Sequence, residues 1–238
     1  MSTPNLVLLP GLNCDAAVWA PQVQAFSATH HCQVMDYGLA DTLPAMAQKV
    51  LDSAPATFAM AGHSMGGRVA LEVLRLAPQR VERLALMSTG AHPLVDGDAG
   101  AKEKAGRLAL LSQAQRSGMR AMGAVWAKPM VHPSLVGGPL FEQVLDMLER
   151  SSPERFAAQV NALINRPDAS NLLPTIRCPA LVLTGREDGW SPPDAHQAMA
   201  DAMTGVQAEL VIVEQCGHMC TMEQPEAVNA AFARWLAA

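Results

Sequence analysis

Residues 61–68 read Ala-Gly-His-Ser-Met-Gly-Gly-Arg, a Gly-x-Ser-x-Gly spacing that sets Ser64 between Gly62 and Gly66. A serine hydroxyl is a weak nucleophile near neutral pH, so chemistry at Ser64 requires a base within hydrogen-bond reach and a third group that orients the base. The chain offers both downstream, with Asp188 in Arg-Glu-Asp-Gly-Trp and His218 in Gln-Cys-Gly-His-Met. The chemistry these types support is acyl transfer at a carbonyl: Ser64 attacks, His218 carries the proton and Asp188 holds the imidazole. The bland alternative for residues 61–68 is a glycine-rich structural turn.

The elements around these residues decide between the two. Short apolar runs alternate with longer stretches of helical period, the pattern of a parallel α/β sheet with crossover helices. The expected strands are Asn5–Leu9, Cys32–Tyr37, Thr57–Gly62, Val81–Ser88, Ala180–Thr184 and Glu209–Val213, most of them apolar throughout, as strands buried on both faces must be. Helices are expected over Thr42–Ser53, Met65–Leu76, Pro192–Met203 and Pro225–Leu236. Ser64 therefore falls between a strand and a helix, in the context of a nucleophile elbow. Gly62 and Gly66 remove side chains that would collide across such a turn, and the helix start offers the Met65 N–H to a developing oxyanion. Asp188 and His218 each fall just past a strand end.

Residues 92–171 break the alternation. They read as helical, interrupted at Gly118-Met119, His132-Pro133, Gly137 to Pro139 and Ser152-Pro153, and are expected to form a helical cap inserted before the strand that carries Asp188. Met119, Met122, Met130 and Met147 in this insertion either line an apolar pocket or pack its helices.

Rivals for the named roles are few. Glu187 adjoins Asp188, and Asp194 suits the first turn of a helix. Cys216, His218 and Cys220 alternate like soft-metal ligands, but zinc sites need a fourth ligand and wider paired spacing, so no metal is expected. His30, His31 and His63 read as surface or elbow-flanking residues, with His63 directed away from the serine, and Trp19 as packing.

The 238 residues carry a formal charge of −5 without runs of like charge, which argues against nucleic acid or an anionic membrane surface as a partner. The N-terminal stretch has no basic region, and its apolar run Leu6–Leu9 is too short for a signal or a membrane span. Five scattered cysteines fit reduced thiols, so a cytoplasmic setting is expected.

Four motifs in order, Leu-Val-Leu-Leu-Pro-Gly-Leu-Asn near the start, Gly-His-Ser-Met-Gly-Gly, Leu-Val-Leu-Thr-Gly-Arg-Glu-Asp and Cys-Gly-His-Met, resemble those of the α/β-hydrolase superfamily over nearly the whole chain. The resemblance implies a single domain over 1–238 and a mostly parallel sheet, trimmed to about six strands because the chain begins near the oxyanion strand. It implies the triad order Ser64, Asp188, His218, and it aligns Asp188 rather than its neighbours with the acid. It assigns a second oxyanion donor to the Leu12 N–H, although Pro10-Gly11 stands where such enzymes commonly carry His-Gly. The implied activity is hydrolysis of a small, apolar carboxylic ester through an acyl-enzyme, without a cofactor. Lactone or carbon–carbon bond hydrolysis by the same triad, and a ligand-binding receptor with negligible turnover, remain alternatives.

Overall fold

The computed structural model describes residues 3–238. Its strands are β1 (Asn5–Leu9), β2 (His31–Val34), β3 (Phe58–His63), β4 (Val81–Met87), β5 (Ala180–Gly185) and β6 (Glu209–Val213). All pair in parallel, in the order β2-β1-β3-β4-β5-β6. Successive residues of a strand point to opposite faces, and the apolar runs exploit this fully. Leu6, Leu8, Ala85, Met87, Leu181 and Leu183 enter one core cluster, while Val7, Leu9, Leu84, Leu86, Ala180 and Val182 enter the other.

Helices cover both faces. The helices α2 (Leu43–Ser53), α3 (Met65–Leu76) and α8 (Pro193–Ala202) contribute Val50, Val69 and Met199 to the cluster around Val7 and Leu9. On the other side stand α1 (Ala20–Phe26), α9 (Cys220–Glu223) and α10 (Pro225–Ala237), where Trp19, Phe232 and Trp235 fill the space against Leu6 and Leu8. Each fully buried side chain of this size contributes about 1.5–3 kcal/mol. Between β4 and β5 lie α4 (Asp98–Ser117), α5 (Met119–Trp126), α6 (Pro139–Glu149) and α7 (Pro153–Ile164), and no strand occurs among them. Their boundaries follow the expected breaks: Gly118, at φ +85°, separates α4 from α5, and the Ser152 hydroxyl caps α7 by accepting the Arg155 N–H at 3.2 Å.

The second strand departs from expectation. It ends at Val34 rather than Tyr37, because Asp36 accepts the Gly38 N–H at 2.8 Å and Gly38 takes φ +56°, a turn that carries the chain off the sheet. Tyr37 is buried instead by a hydrogen bond from its hydroxyl to the Pro10 carbonyl, 3.2 Å away. The other strand and helix ends move by at most one residue from the expected ones. Helix α1 is not among the expected helices; Pro21 stands in its first turn, where a proline has no helical hydrogen bond to break. Met1 and Ser2, the first residues of the N-terminal stretch, lie outside the described residues.

The strand order places the site. From β1 the chain moves one way across the sheet to β2, and from β3 it moves the other way through β4, β5 and β6. Loops leaving adjacent strands in opposite directions open a crevice at their C-terminal ends. Those strands are β1 and β3, with Leu9 paired to Gly62. The loop carrying Gly11 and Leu12 therefore emerges beside Ser64.

Candidate active site

Ser64 sits at the end of β3 as the cap of α3, with φ +55° and ψ −119°. A non-glycine residue in this region costs on the order of 1–3 kcal/mol and persists only where its neighbours dictate it. Here the Ser64 N–H donates to the Met87 carbonyl at 2.8 Å, and the Ser64 carbonyl accepts from the Gly67 N–H at 3.0 Å and the Thr89 hydroxyl at 2.6 Å. The turn is tight enough to exclude side chains. A Cβ on Gly62 would lie 2.4 Å from the Gly66 carbonyl oxygen, and one on Gly66 only 2.1 Å from that of Leu9. Both clashes are with backbone, so Gly66→Ala should lower the unfolding free energy by about 2 kcal/mol or more in a denaturant titration. A variant of wild-type stability would show that the elbow does not press on β1.

The structure brings the three separated residues into one line. The Ser64 Oγ stands 2.9 Å from His218 Nε2, and His218 Nδ1 stands 2.8 Å from Asp188 Oδ2. Asp188 Oδ1 accepts the N–H groups of Trp190 and Ser191 at 3.0 and 2.9 Å, which fixes the carboxylate plane. Burial alone pushes this carboxyl up, but the His218 charge and the hydrogen bonds from His218, Ser191 and Trp190 together outweigh burial and hold it down at about 2. The rivals face elsewhere. Glu187 accepts the Cys216 N–H at 2.9 Å, and Asp194 is exposed on the first turn of α8.

The depressed value makes a stability prediction. Between an ordinary carboxyl near 3.8 and the folded value near 2, the unfolded chain binds more protons than the folded one. The stabilisation is therefore complete above about pH 4 and is lost as pH falls toward 2, by about 2 kcal/mol. Asp188→Asn should flatten that part of the stability curve; an unchanged acid limb would mean that some other group produces it.

Leu12 and Met65 both line the pocket, and the N–H group of neither donates to another group among the described residues. Two unengaged donors from residues that line one pocket with a serine suit an oxyanion. The pocket measures about 970 Å³ and is walled by Leu110, Trp126, Phe156, Val160 and Leu163 from the helices between β4 and β5. Of Met119, Met122, Met130 and Met147, only Met130 lines it; the other three are buried in the core clusters. Among the described residues no group of three or more His, Cys, Asp or Glu could hold a metal ion, and the five cysteines are unpaired.

Several residues that the sequence assigned no role at the triad support this arrangement. The Met130 carbonyl accepts the His218 and Met219 N–H groups at 2.7 and 3.2 Å. Glu223 accepts the N–H groups of His132, Gly217 and Met219 at 2.7, 3.0 and 2.9 Å, clamping the chain on both sides of His218. His63, read from sequence as a bystander, lies with its Nε2 2.8 Å from the His218 carbonyl. Burial, and then repulsion from His218, push His63 down to about 4, so near neutral pH it is uncharged and Nε2 is the donor. Trp190 lies 5.0 Å from the His218 ring between centroids and stacks on Trp126 at 5.6 Å, roofing the imidazole. Only Glu223 had a sequence signal, being an acid three residues after Cys220 at the start of a short helix.

The sequence profile of the alpha/beta hydrolase family matches residues 6–231. The chain belongs to the alpha/beta hydrolase family. The acetyltransferase component of the acetoin cleaving system of Pseudomonas putida, a dihydrolipoyllysine-residue acetyltransferase, is 29% identical over 94% of this chain but is matched over only 61% of its own length. The (E)-2-((N-methylformamido)methylene)succinate hydrolase of Acinetobacter baylyi is 28% identical over 97% of this alpha/beta hydrolase and 89% of its own chain. Among solved structures, a thermophilic esterase from Thermogutta terrifontis, with malate bound, superposes with a TM-score of 0.86 at 28% identity, covering 98% of this chain and 89% of that one. No helix among the described residues is long and apolar enough to cross a membrane.

Proposed function

We propose that this alpha/beta hydrolase is a serine esterase that cleaves a small carboxylic ester through an acyl-enzyme. The observation that carries the reading is the line Ser64 Oγ, His218 and Asp188 at 2.9 and 2.8 Å; the unengaged Leu12 and Met65 N–H groups, from residues lining the same pocket, supply the oxyanion donors in this reading.

The mechanism follows from these atoms. Ser64 Oγ attacks the ester carbonyl carbon as His218 Nε2 takes its proton. The carbonyl π pair moves onto oxygen, where the two N–H groups stabilise it. Asp188 keeps Nδ1 protonated and offsets the imidazolium charge. The C–O bond to the leaving alcohol breaks as His218 returns the proton to that oxygen, leaving the acyl group on Ser64. Water then attacks the acyl carbon with His218 as base, and the acid leaves as Ser64 recovers its proton. No step calls on a cofactor or metal.

In this reading the helices between β4 and β5, within residues 92–171, act as a cap that shapes the acyl and alcohol pockets, and a reducing, cytoplasmic setting suits the unpaired cysteines. The test is hydrolysis of p-nitrophenyl esters of increasing acyl length by wild type and Ser64→Ala side by side. Turnover lost with Ser64 supports the reading. Turnover that survives Ser64→Ala, or none on any ester while a lactone is opened, contradicts ester chemistry at this serine.

A further inference from the structure

The pocket is not uniformly apolar. In a chain whose formal charge is −5, it gathers Arg68, Lys102, Arg107 and Arg166 against a single carboxylate, that of Glu103. The surplus of positive charge lies on the pocket wall itself.

The guanidinium groups are not equivalent. Arg166 is satisfied: it forks onto Glu103 at 2.7 and 3.0 Å and donates to the Leu163 carbonyl at 2.8 Å. Arg107 takes the same carboxylate, at 2.9 Å. Arg68, one turn into α3 from Ser64, makes a single hydrogen bond, from Nη1 to the His92 carbonyl at 2.8 Å, and no ion pair among the described residues. Arg68 and Ser64 line the same pocket, and no other acceptor among the described residues takes its remaining donors. Burial, and then repulsion from Arg166 and Arg107, push Arg68 down to about 9, so the folded protein holds an under-compensated guanidinium there. A planar fork of this kind matches a carboxylate bidentately and gains most when the pair is desolvated together.

We propose that this wall binds a carboxylate carried by the substrate, with Arg68 as the side chain that meets it, so that the preferred ester bears a second, free acid group. The inference rests on the esterase reading of Ser64 and narrows its substrate class from apolar to anionic. Arg68 follows Ser64 by four residues and lines the same pocket, so the spacing between the reacting carbonyl and the free carboxylate is read from the chain length of the preferred ester.

The test compares monomethyl esters of linear dicarboxylic acids, and acetate esters of ω-hydroxy acids, with uncharged esters of equal length, by following proton release. Wild type should favour the anionic ester in kcat/KM by at least about tenfold, mainly through KM, and the preference should shrink with added salt. Arg68→Gln should lower the ratio of anionic to neutral kcat/KM by at least about tenfold, with Arg68→Lys in between. If Arg68→Gln fails to fold, Lys102→Glu, on the exposed side of the same wall, should lower that ratio in its place. Ser64-dependent hydrolysis without an anionic preference in either series, or a preference indifferent to both substitutions, overturns the inference and leaves the esterase reading standing. If no ester is turned over, the esterase reading fails by itself, and the thermal shift produced by glutarate or adipate decides the binding claim: stabilisation of wild type that Arg68→Gln or Lys102→Glu weakens supports it, and its absence overturns it.

Discussion

Ser64→Ala should reduce kcat/KM on any ester the protein hydrolyses by roughly three to six orders of magnitude. The change removes one oxygen from a half-buried position and leaves the backbone bonds to Met87, Gly67 and Thr89 that hold the turn, so the fold should survive. Far-ultraviolet circular dichroism and the melting temperature check that it does. The size of the activity left behind is informative. In the proposed mechanism the Leu12 and Met65 N–H groups and the pocket would still bind substrate, so some acceleration over water should persist. Adding His218→Ala to Ser64→Ala should then cost little more, since the two act as one unit. A double variant far slower than Ser64→Ala would mean that His218 works independently of the serine.

The second large effect is expected at Asp188. Asp188→Asn keeps the shape and should nonetheless lower kcat by roughly 10⁴. The reason lies in what surrounds the carboxylate. Its Oδ1 accepts two backbone N–H groups, from Trp190 and Ser191, so an asparagine will place its carbonyl oxygen there. The amide nitrogen must then occupy the Oδ2 position and donate toward His218 Nδ1. That reverses the imidazole tautomer, and Nε2 arrives at Ser64 carrying a proton when it should accept one. Glu187→Gln is the comparison. Glu187 accepts only the Cys216 N–H, an interaction that glutamine retains, so activity should stay within about threefold of wild type. Steady-state kinetics of the two variants at one pH separates them. A larger loss at Glu187 than at Asp188 would reverse the assignment of the acid.

How far the sequence disclosed this arrangement depended on whether local chemistry or tertiary placement makes each residue what it is. The strands were legible because burial on both faces forces unbroken apolar runs, as in Phe58–Ala61 and Leu181–Leu183. The elbow was legible because no residue but glycine fits at positions 62 and 66, a steric rule that leaves a mark in the sequence. Asp188 and His218 were legible by resemblance, through their places after two strands. What stayed hidden was set by contacts between segments far apart in the chain. Glu223 meets His132 across 91 residues, and His63 meets the His218 carbonyl across 155. Nothing in the local spelling of His63 says that its ring supports another histidine. The wall around Arg68 was hidden for the same reason. Arg68 ends the elbow motif, whereas Glu103, Arg107 and Arg166 come from α4 and the chain beyond α7, and only folding sets four charges of one sign around one carboxylate. Conversely, Tyr37 carried the strand pattern too far, because an aspartate-glycine turn at 36–38 overrides β propensity.

The central claim is that Ser64 is the nucleophile, and covalent trapping tests it most directly. A fluorophosphonate presents a tetrahedral phosphorus to the serine; attack by Ser64 Oγ expels fluoride and leaves a stable phosphonyl ester in place of the acyl-enzyme. Mass spectrometry of the intact protein should show a single adduct, peptide mapping should place it on Ser64, and His218→Ala should slow its formation by orders of magnitude. A protein that stays unmodified, or that is labelled equally in Ser64→Ala, would contradict the account.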